Sequence, residues 1–203
     1  MTELFDAANH AHRRHNPLTG DWVLVSPHRN QRPWQGQTEP AEHSNRPDFD
    51  ESCYLCPGNQ RMGGAHNPGY AATYVFNNDF PALTGQTPDH QQDDELFQMR
   101  TERGECRVVA YSPDHSKTLA ELSVAELVRV VQCWVTQSRE LGQHYDWVQI
   151  FENKGAVMGC SMPHPHGQIW AQTQAPSLLA REHDAQSRYR ERHQSALLSD
   201  YCD

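Results

Sequence analysis

No stretch of this 203-residue chain approaches the roughly 20 consecutive apolar residues that a bilayer crossing needs. The opening residues, Met-Thr-Glu-Leu-Phe-Asp, show no basic segment followed by an apolar one, so no secretory signal is visible. Positive charge is scarce. Lys and Arg number 17 against 26 Asp and Glu, a net charge of -9, which argues against a nucleic-acid backbone as a general partner. A small phosphorylated ligand is still compatible, since it needs only local positive charge. The absence of a Gly-x-x-x-x-Gly-Lys run excludes a P-loop, and there is no internal repeat. The chain is polar, but its five Trp and its regular apolar runs argue against disorder. The expectation is a cytoplasmic protein that neither enters a membrane nor binds nucleic acid. Its six cysteines are then ligands or buried thiols rather than a disulfide framework.

Residues 21–26, 72–77, 106–112, 147–152 and 167–172 are rich in β-branched and aromatic side chains between turn residues, and are predicted strands. One helix is predicted over 124–141. Ser123 and Glu126 form a capping box at its start, and Gly142 is suited to the position just past its end. Val124, Leu127, Val128, Val131, Trp134, Val135 and Leu141 give the helical apolar stripe, with Cys133 packing beside it. Residues 33–50 and 84–95 read as loops, and the polar stretch from Ser177 onward as a solvated helix. Strands around one long helix predict an α+β fold, a sheet with the helix on one face.

Residues 163–170 read Pro-His-Pro-His-Gly-Gln-Ile-Trp. In an extended strand His164 and His166 project from one face, roughly 7 Å apart. Pro165 biases the preceding residue toward that conformation. The spacing is wide for a chelating pair and suits one metal ligand beside one nucleophile or base. Ordinary surface or core histidines are the plain alternative in a chain with 13 of them. Cys53-Tyr-Leu-Cys56 lets two thiolates reach one tetrahedral metal, with Zn–S near ~2.3 Å. A redox pair or free thiols would share that spacing, but this pair follows a polar loop rather than a strand-to-helix junction. His115, at the end of a predicted strand, and His164 are candidates for two further ligands. His166 is the candidate nucleophile, because a neutral imidazole held at one nitrogen can attack phosphorus with the other. Gly159, Cys160 and Ser161 are small enough to let backbone N–H groups approach a phosphate. Gln168 shares the face of His166 and offers an amide donor. Arg29 and Arg32 suit phosphate oxygens or a solvated loop. Asn78 and Asp79 suit a ribose or base, or a turn.

The chain resembles the galactose-1-phosphate uridylyltransferases of the histidine-triad superfamily. The runs that carry the resemblance are His12-Arg-Arg-His-Asn-Pro-Leu-Thr-Gly, Val25-Ser-Pro-His-Arg, Arg32-Pro-Trp-Gln-Gly, Tyr74-Val-Phe-Asn-Asn-Asp-Phe, Ser112-Pro-Asp-His, Phe151-Glu-Asn-Lys-Gly and Ser161-Met-Pro-His-Pro-His-Gly-Gln-Ile-Trp. The resemblance implies a histidine-triad-like antiparallel sheet. It implies exchange of a uridylyl group between uridine diphosphoglucose and galactose 1-phosphate by a ping-pong route through uridylylated His166, in galactose metabolism. It implies zinc on Cys53, Cys56, His115 and His164, and substrate contacts from Arg29, Arg32, Met62, Asn78, Asp79, Asn153, Gly159, Cys160, Ser161 and Gln168. The superfamily's hydrolases usually place a third histidine at the position of Gln168, so glutamine there resembles the transferase branch. Glu182 matches a ligand of a second, iron site whose other ligands lie in a second half of the longer family chains, which are expected to form homodimers. Residues 1–203 match the N-terminal half as one domain, with 177–203 as a polar helical tail. A dinucleotide phosphorylase or hydrolase, and a nucleotide-binding fragment without turnover, are the competing readings.

Overall fold

The structure is a computed structural model and describes residues 4–33, 46–155, 158–160 and 162–203. Among these residues the regular elements are β1 (His12–His15), β2 (Trp22–Val25), β3 (Tyr74–Asn77), β4 (Gln91–Asp93), β5 (Gln98–Arg100), β6 (Gly104–Ala110), α1 (Val124–Leu141), β7 (Trp147–Phe151), β8 (His166–Gln172), α2 (Ser177–His193) and α3 (Leu197–Cys202). The chain divides into two compact units. Residues 42–174 make one, and residues 1–41 with 175–203 make the other.

In the larger unit four antiparallel strands run in the order β3-β6-β8-β7. The α+β architecture and the antiparallel sheet expected from sequence are both present. Along β8, buried Gly167, Ile169 and Ala171 alternate with half-buried His166, Gln168, Trp170 and Gln172, as the two-residue period of a strand requires. One face of the sheet brings Val109, Ile169 and Ala171 against Leu122, Val130 and Leu141 in and beside α1. The register pairs Val108 with Gln168 and Ala110 with His166. Val108 packs with Cys53, Leu55, Cys56 and Phe76 in a second cluster on the other face. The sheet thus separates a helix-covered core from the face that carries His166 and Gln168.

Helix α1 has the bounds read from sequence. The Ser123 hydroxyl accepts the Glu126 N–H at 3.3 Å, and the Glu126 carboxylate accepts the Ser123 N–H at 2.7 Å, closing the capping box. Its buried stripe differs from the expected one. Val130 is fully buried and Leu127, Cys133 and Trp134 pack beside it, whereas Val124 is 77% exposed and Val128, Val131 and Val135 are also exposed. Two apolar arcs share this helix, and the sheet selects between them where hydrophobicity cannot. Gly142 caps the helix in the right-handed region, at φ -66°, so it is not the left-handed stop that its position suggests. The segment read as a loop over 84–95 contains β4, which pairs with β5 with every side chain of the hairpin exposed and Arg100 3.9 Å from Asp93 across it.

A Cβ at Gly167 would overlap the Tyr111 hydroxyl and come within 2.9 Å of the Phe151 carbonyl. Gly167→Ala is therefore expected to destabilise the fold by about 1–3 kcal/mol. Urea unfolding midpoints check this, and an unchanged midpoint would show that Tyr111 yields freely.

In the smaller unit β1 pairs antiparallel with β2, from His12 opposite Val25 to His15 opposite Trp22. The pairing brings the His15 and Trp22 rings together, tilted by 48° with centres 5.1 Å apart. Helix α2 covers the stretch read as a polar helix and ends at Gln194, which takes a left-handed φ of 57°. No helix among the described residues is long and apolar enough to cross a membrane.

Candidate metal centre and nucleophile

The side chains of Cys53, Cys56, His115 and His164 converge on one point. Their ligand atoms all lie within 4.8 Å of one another, and all four residues are buried. Cys56 Sγ is 3.5 Å from both His115 Nδ1 and His164 Nδ1. A tetrahedron with Zn–S of ~2.3 Å and Zn–N of ~2.0–2.1 Å has S···N edges of roughly 3.5 Å. Two sulfurs and two imidazole nitrogens with no carboxylate make a donor set that fits zinc better than a hard cation.

Three side chains that sequence reasoning missed hold the Cys53–Cys56 loop. Asn59 Nδ2 donates to the Asp50 and Cys53 carbonyls, each at 2.8 Å. Buried Asn67 donates to the Tyr54 carbonyl at 2.9 Å and the Cys56 carbonyl at 3.0 Å. The Tyr70 hydroxyl donates to the Leu55 carbonyl at 2.6 Å and lies 3.1 Å from His164 Nε2. His164 Nε2–H donates to the Ser112 carbonyl at 2.8 Å, which fixes its tautomer and turns Nδ1 toward the cysteines. Such contacts run from side chain to distant backbone and leave no local sequence pattern. Burial pushes the Cys53 thiol up to about 12. It holds His164 down to about 4, against the opposing effect of the Ser112 carbonyl, and lowers His115 as well. Burial thus keeps the imidazoles neutral, as ligands must be, and disfavours a Cys53 thiolate unless a cation compensates it.

His166 Nδ1 is 2.8 Å from the His164 carbonyl. A carbonyl only accepts, so Nδ1 carries the proton and Nε2 keeps its lone pair. The expected strand through both histidines begins only at His166, and a bend at His164 and Pro165 precedes it, so His164 faces the metal position while its carbonyl orients the neighbouring candidate nucleophile. Trp170 Nε1–H donates to Gln168 Oε1 at 3.0 Å. The indole cannot accept, so the Gln168 amide group is directed away from it as a donor.

His166 lines two cavities. One, of about 260 Å³, is bordered by Arg46, Lys117 and Lys154 against the single carboxylate of Glu152, and also by Asn153 and Cys160. Sequence reasoning singled out none of those three cations. The other, of about 220 Å³, is bordered by Met62, Phe76, Asn78, Asp79 and Gln168. Asn78 also takes the turn role, its Oδ1 accepting the Phe80 N–H at 3.0 Å. Gly159 has a φ of +72°, a left-handed conformation that suits glycine. Ser161 lies outside the described residues. Arg29 lies in the 3-10 turn Pro27–Gln31 and Arg32 caps it, both in the smaller unit. Glu182 lies half-buried on α2 of that unit, and no group of three metal-ligating side chains gathers there among the described residues.

Residues 2–176 match the model of the galactose-1-phosphate uridyl transferase N-terminal domain. The chain is 54% identical over 202 residues to a galactose-1-phosphate uridylyltransferase of Haemophilus influenzae, covering 99% of this chain and 58% of that one. It is 46% identical to the Rattus norvegicus enzyme of the same name, covering 99% and 53%. A solved uridylyltransferase structure aligns over 91% of this chain and 53% of its own, at a TM-score of 0.61 and 24% identity, which shows a shared fold. The chain thus spans little more than half the length of these relatives. Over that span the chain belongs to the galactose-1-phosphate uridyl transferase family, through its N-terminal domain.

Proposed function

We propose that this chain carries the nucleophile and phosphate-binding face of a uridylyltransferase acting on uridine diphosphoglucose and galactose 1-phosphate. The observation that carries the proposal is the state of His166. Its Nδ1–H is tied to the His164 carbonyl, and it borders both a cationic cavity and one of mixed apolar and polar lining. In the first half-reaction the Nε2 lone pair attacks the α-phosphorus. An N–P bond forms, the bond from that phosphorus to the bridging oxygen breaks, and glucose 1-phosphate leaves with the electron pair. The charge left on the imidazole is held by the Nδ1–H bond to the carbonyl. Galactose 1-phosphate then reverses the step with its own phosphate oxygen. The Gln168 amide donates to a phosphoryl oxygen without offering an acidic proton, which favours a persistent adduct over hydrolysis. Arg29, Arg32, Met62, Asn78, Asp79, Asn153, Gly159, Cys160 and Ser161 are the proposed substrate contacts.

Zinc on Cys53, Cys56, His115 and His164 would be a closed structural centre with no open position, supplying cross-linking rather than chemistry. Glu182 is proposed as one ligand of an iron site completed by residues outside this chain. The expected setting is cytoplasmic and reducing, with the longer family chains as homodimers. The first half-reaction needs the nucleophile and the phosphate-binding face described above, and is expected of these residues. Rapid mixing with uridine diphosphoglucose should release glucose 1-phosphate in a burst approaching one equivalent per chain. Steady release without a burst, or none, would count against a covalent route.

A further inference from the structure

Gln168 has a single polar neighbour able to hold its amide. Strand β8 lies between β6 and β7, and the register sets Gln168 opposite Val108 on one side and Phe151 on the other. Residues directly opposite in an antiparallel pair put their side chains on one face, so both lateral neighbours are apolar. Along its own strand the same face carries His166 and Trp170. His166 spends its Nδ1–H on the His164 carbonyl. The remaining neighbour, Trp170, donates its Nε1–H to Gln168 Oε1 at 3.0 Å, the one hydrogen bond of the Gln168 side chain among the described residues. Phe151 fixes the indole in turn, meeting it in a T-shaped contact with ring centres 5.5 Å apart and planes at 79°.

The two ends of a glutamine amide are alike in shape and opposite in hydrogen-bonding sense. An unheld amide can therefore turn over without a steric penalty. Turned over, Gln168 would offer its oxygen to the cavity it shares with His166, and that oxygen would repel a phosphoryl oxygen. An indole N–H only donates, so the amide oxygen must lie against it and the NH2 group must point elsewhere. Trp170 itself does not line the cavity. Resting on the uridylyl-transfer reading above, we infer that Trp170 is a positioning residue: its indole N–H locks Gln168 in the orientation that presents the NH2 group to the phosphoryl group at His166. It acts through Gln168 and needs no contact of its own with substrate.

The burst rate of glucose 1-phosphate release from uridine diphosphoglucose tests this in wild type, Trp170→Phe, Trp170→His, Gln168→Ala and the Trp170→Phe, Gln168→Ala double variant. Phenylalanine keeps a ring against Phe151 but has no donor. Histidine sets its Nε2–H where the indole N–H stands but lacks the larger ring. Trp170→Phe is expected to slow the burst about tenfold, and Trp170→His to stay within about threefold of wild type. A packing role for the indole predicts the reverse order. Zinc content and unfolding midpoint, read on the same samples, are expected to stay near wild type. In the Gln168→Ala background, Trp170→Phe is expected to cost nothing further, because the group it positions is gone. A loss that persists in that background, or a Trp170→Phe variant as fast as wild type, overturns the assignment of Trp170 alone. If Trp170→Phe does not fold, Trp170→His carries the test, and a folded Trp170→His as slow as Gln168→Ala overturns the assignment. Wild type without a burst overturns the uridylyl-transfer reading, and this assignment with it.

Discussion

Replacing Cys56 with alanine is expected to abolish zinc binding and to unfold the larger unit at temperatures where wild type is intact. Cys56 is the hub of the four-ligand cluster, 3.5 Å from both imidazoles and fully buried. Zinc binding to a structural site of this type contributes on the order of 10 kcal/mol, and that binding free energy is folding free energy. Removing one ligand forfeits most of it and leaves buried, half-matched polar groups. Chelator treatment of wild type should give the same melting temperature as the variant. Acid should act through the same centre. His164 has its folded-state value lowered to about 4 from an ordinary 6.5. The folded state therefore binds fewer protons than the unfolded one in that interval. The stability this supplies is fully present above pH 6.5 and is lost as pH falls toward 4. Thermal melts with metal analysis across that window check both expectations. A metal-free chain with an unchanged melting temperature would remove the structural role assigned to the cluster.

His166→Ala is expected to eliminate the burst of glucose 1-phosphate, lowering its rate by at least about 1000-fold, while zinc content and melting temperature stay near wild type. The asymmetry follows from the bend at His164 and Pro165 that precedes β8. His166 is half-buried and faces the cavities, whereas His164 is buried among the cysteines. Truncating His166 removes the proposed nucleophile. The reverse pattern is expected for His164→Ala, with loss of metal and fold together. Rapid-quench measurement of product, run beside metal analysis on both variants, separates the two roles.

The parts of this molecule written in local pattern were legible, and the parts made by distant contacts were not. Helix α1 could be bounded because Ser123 and Glu126 sit three residues apart and cap it. Strand β8 could be found because Ile169 and Trp170 give it a strand-forming composition between turn residues. The buried face of α1 could not be chosen, since Val130 inside and Val124, Val128, Val131 and Val135 outside are the same residue type. Strand β1, His-Arg-Arg-His, and the exposed β4–β5 hairpin have no apolar alternation to announce them. The cysteine pair was legible as a metal-ligating element because its two-residue spacing is itself the geometry. Asn59, Asn67 and Tyr70 were silent, because they act on carbonyls 6 to 15 residues away in sequence. Arg46, Lys117 and Lys154 were silent for a related reason, since only the fold gathers them beside His166.

The central claim is that the chain covalently accepts a uridylyl group at His166. The most direct measurement is peptide mass mapping after brief incubation of the wild-type chain with uridine diphosphoglucose, followed by mild acid treatment of a parallel sample. The account predicts one added uridylyl mass on the peptide holding His166, lost on acid treatment as a phosphoramidate would be, and absent from His166→Ala. A uridylyl mass on any other residue, or an unmodified chain that nonetheless releases glucose 1-phosphate, would contradict it.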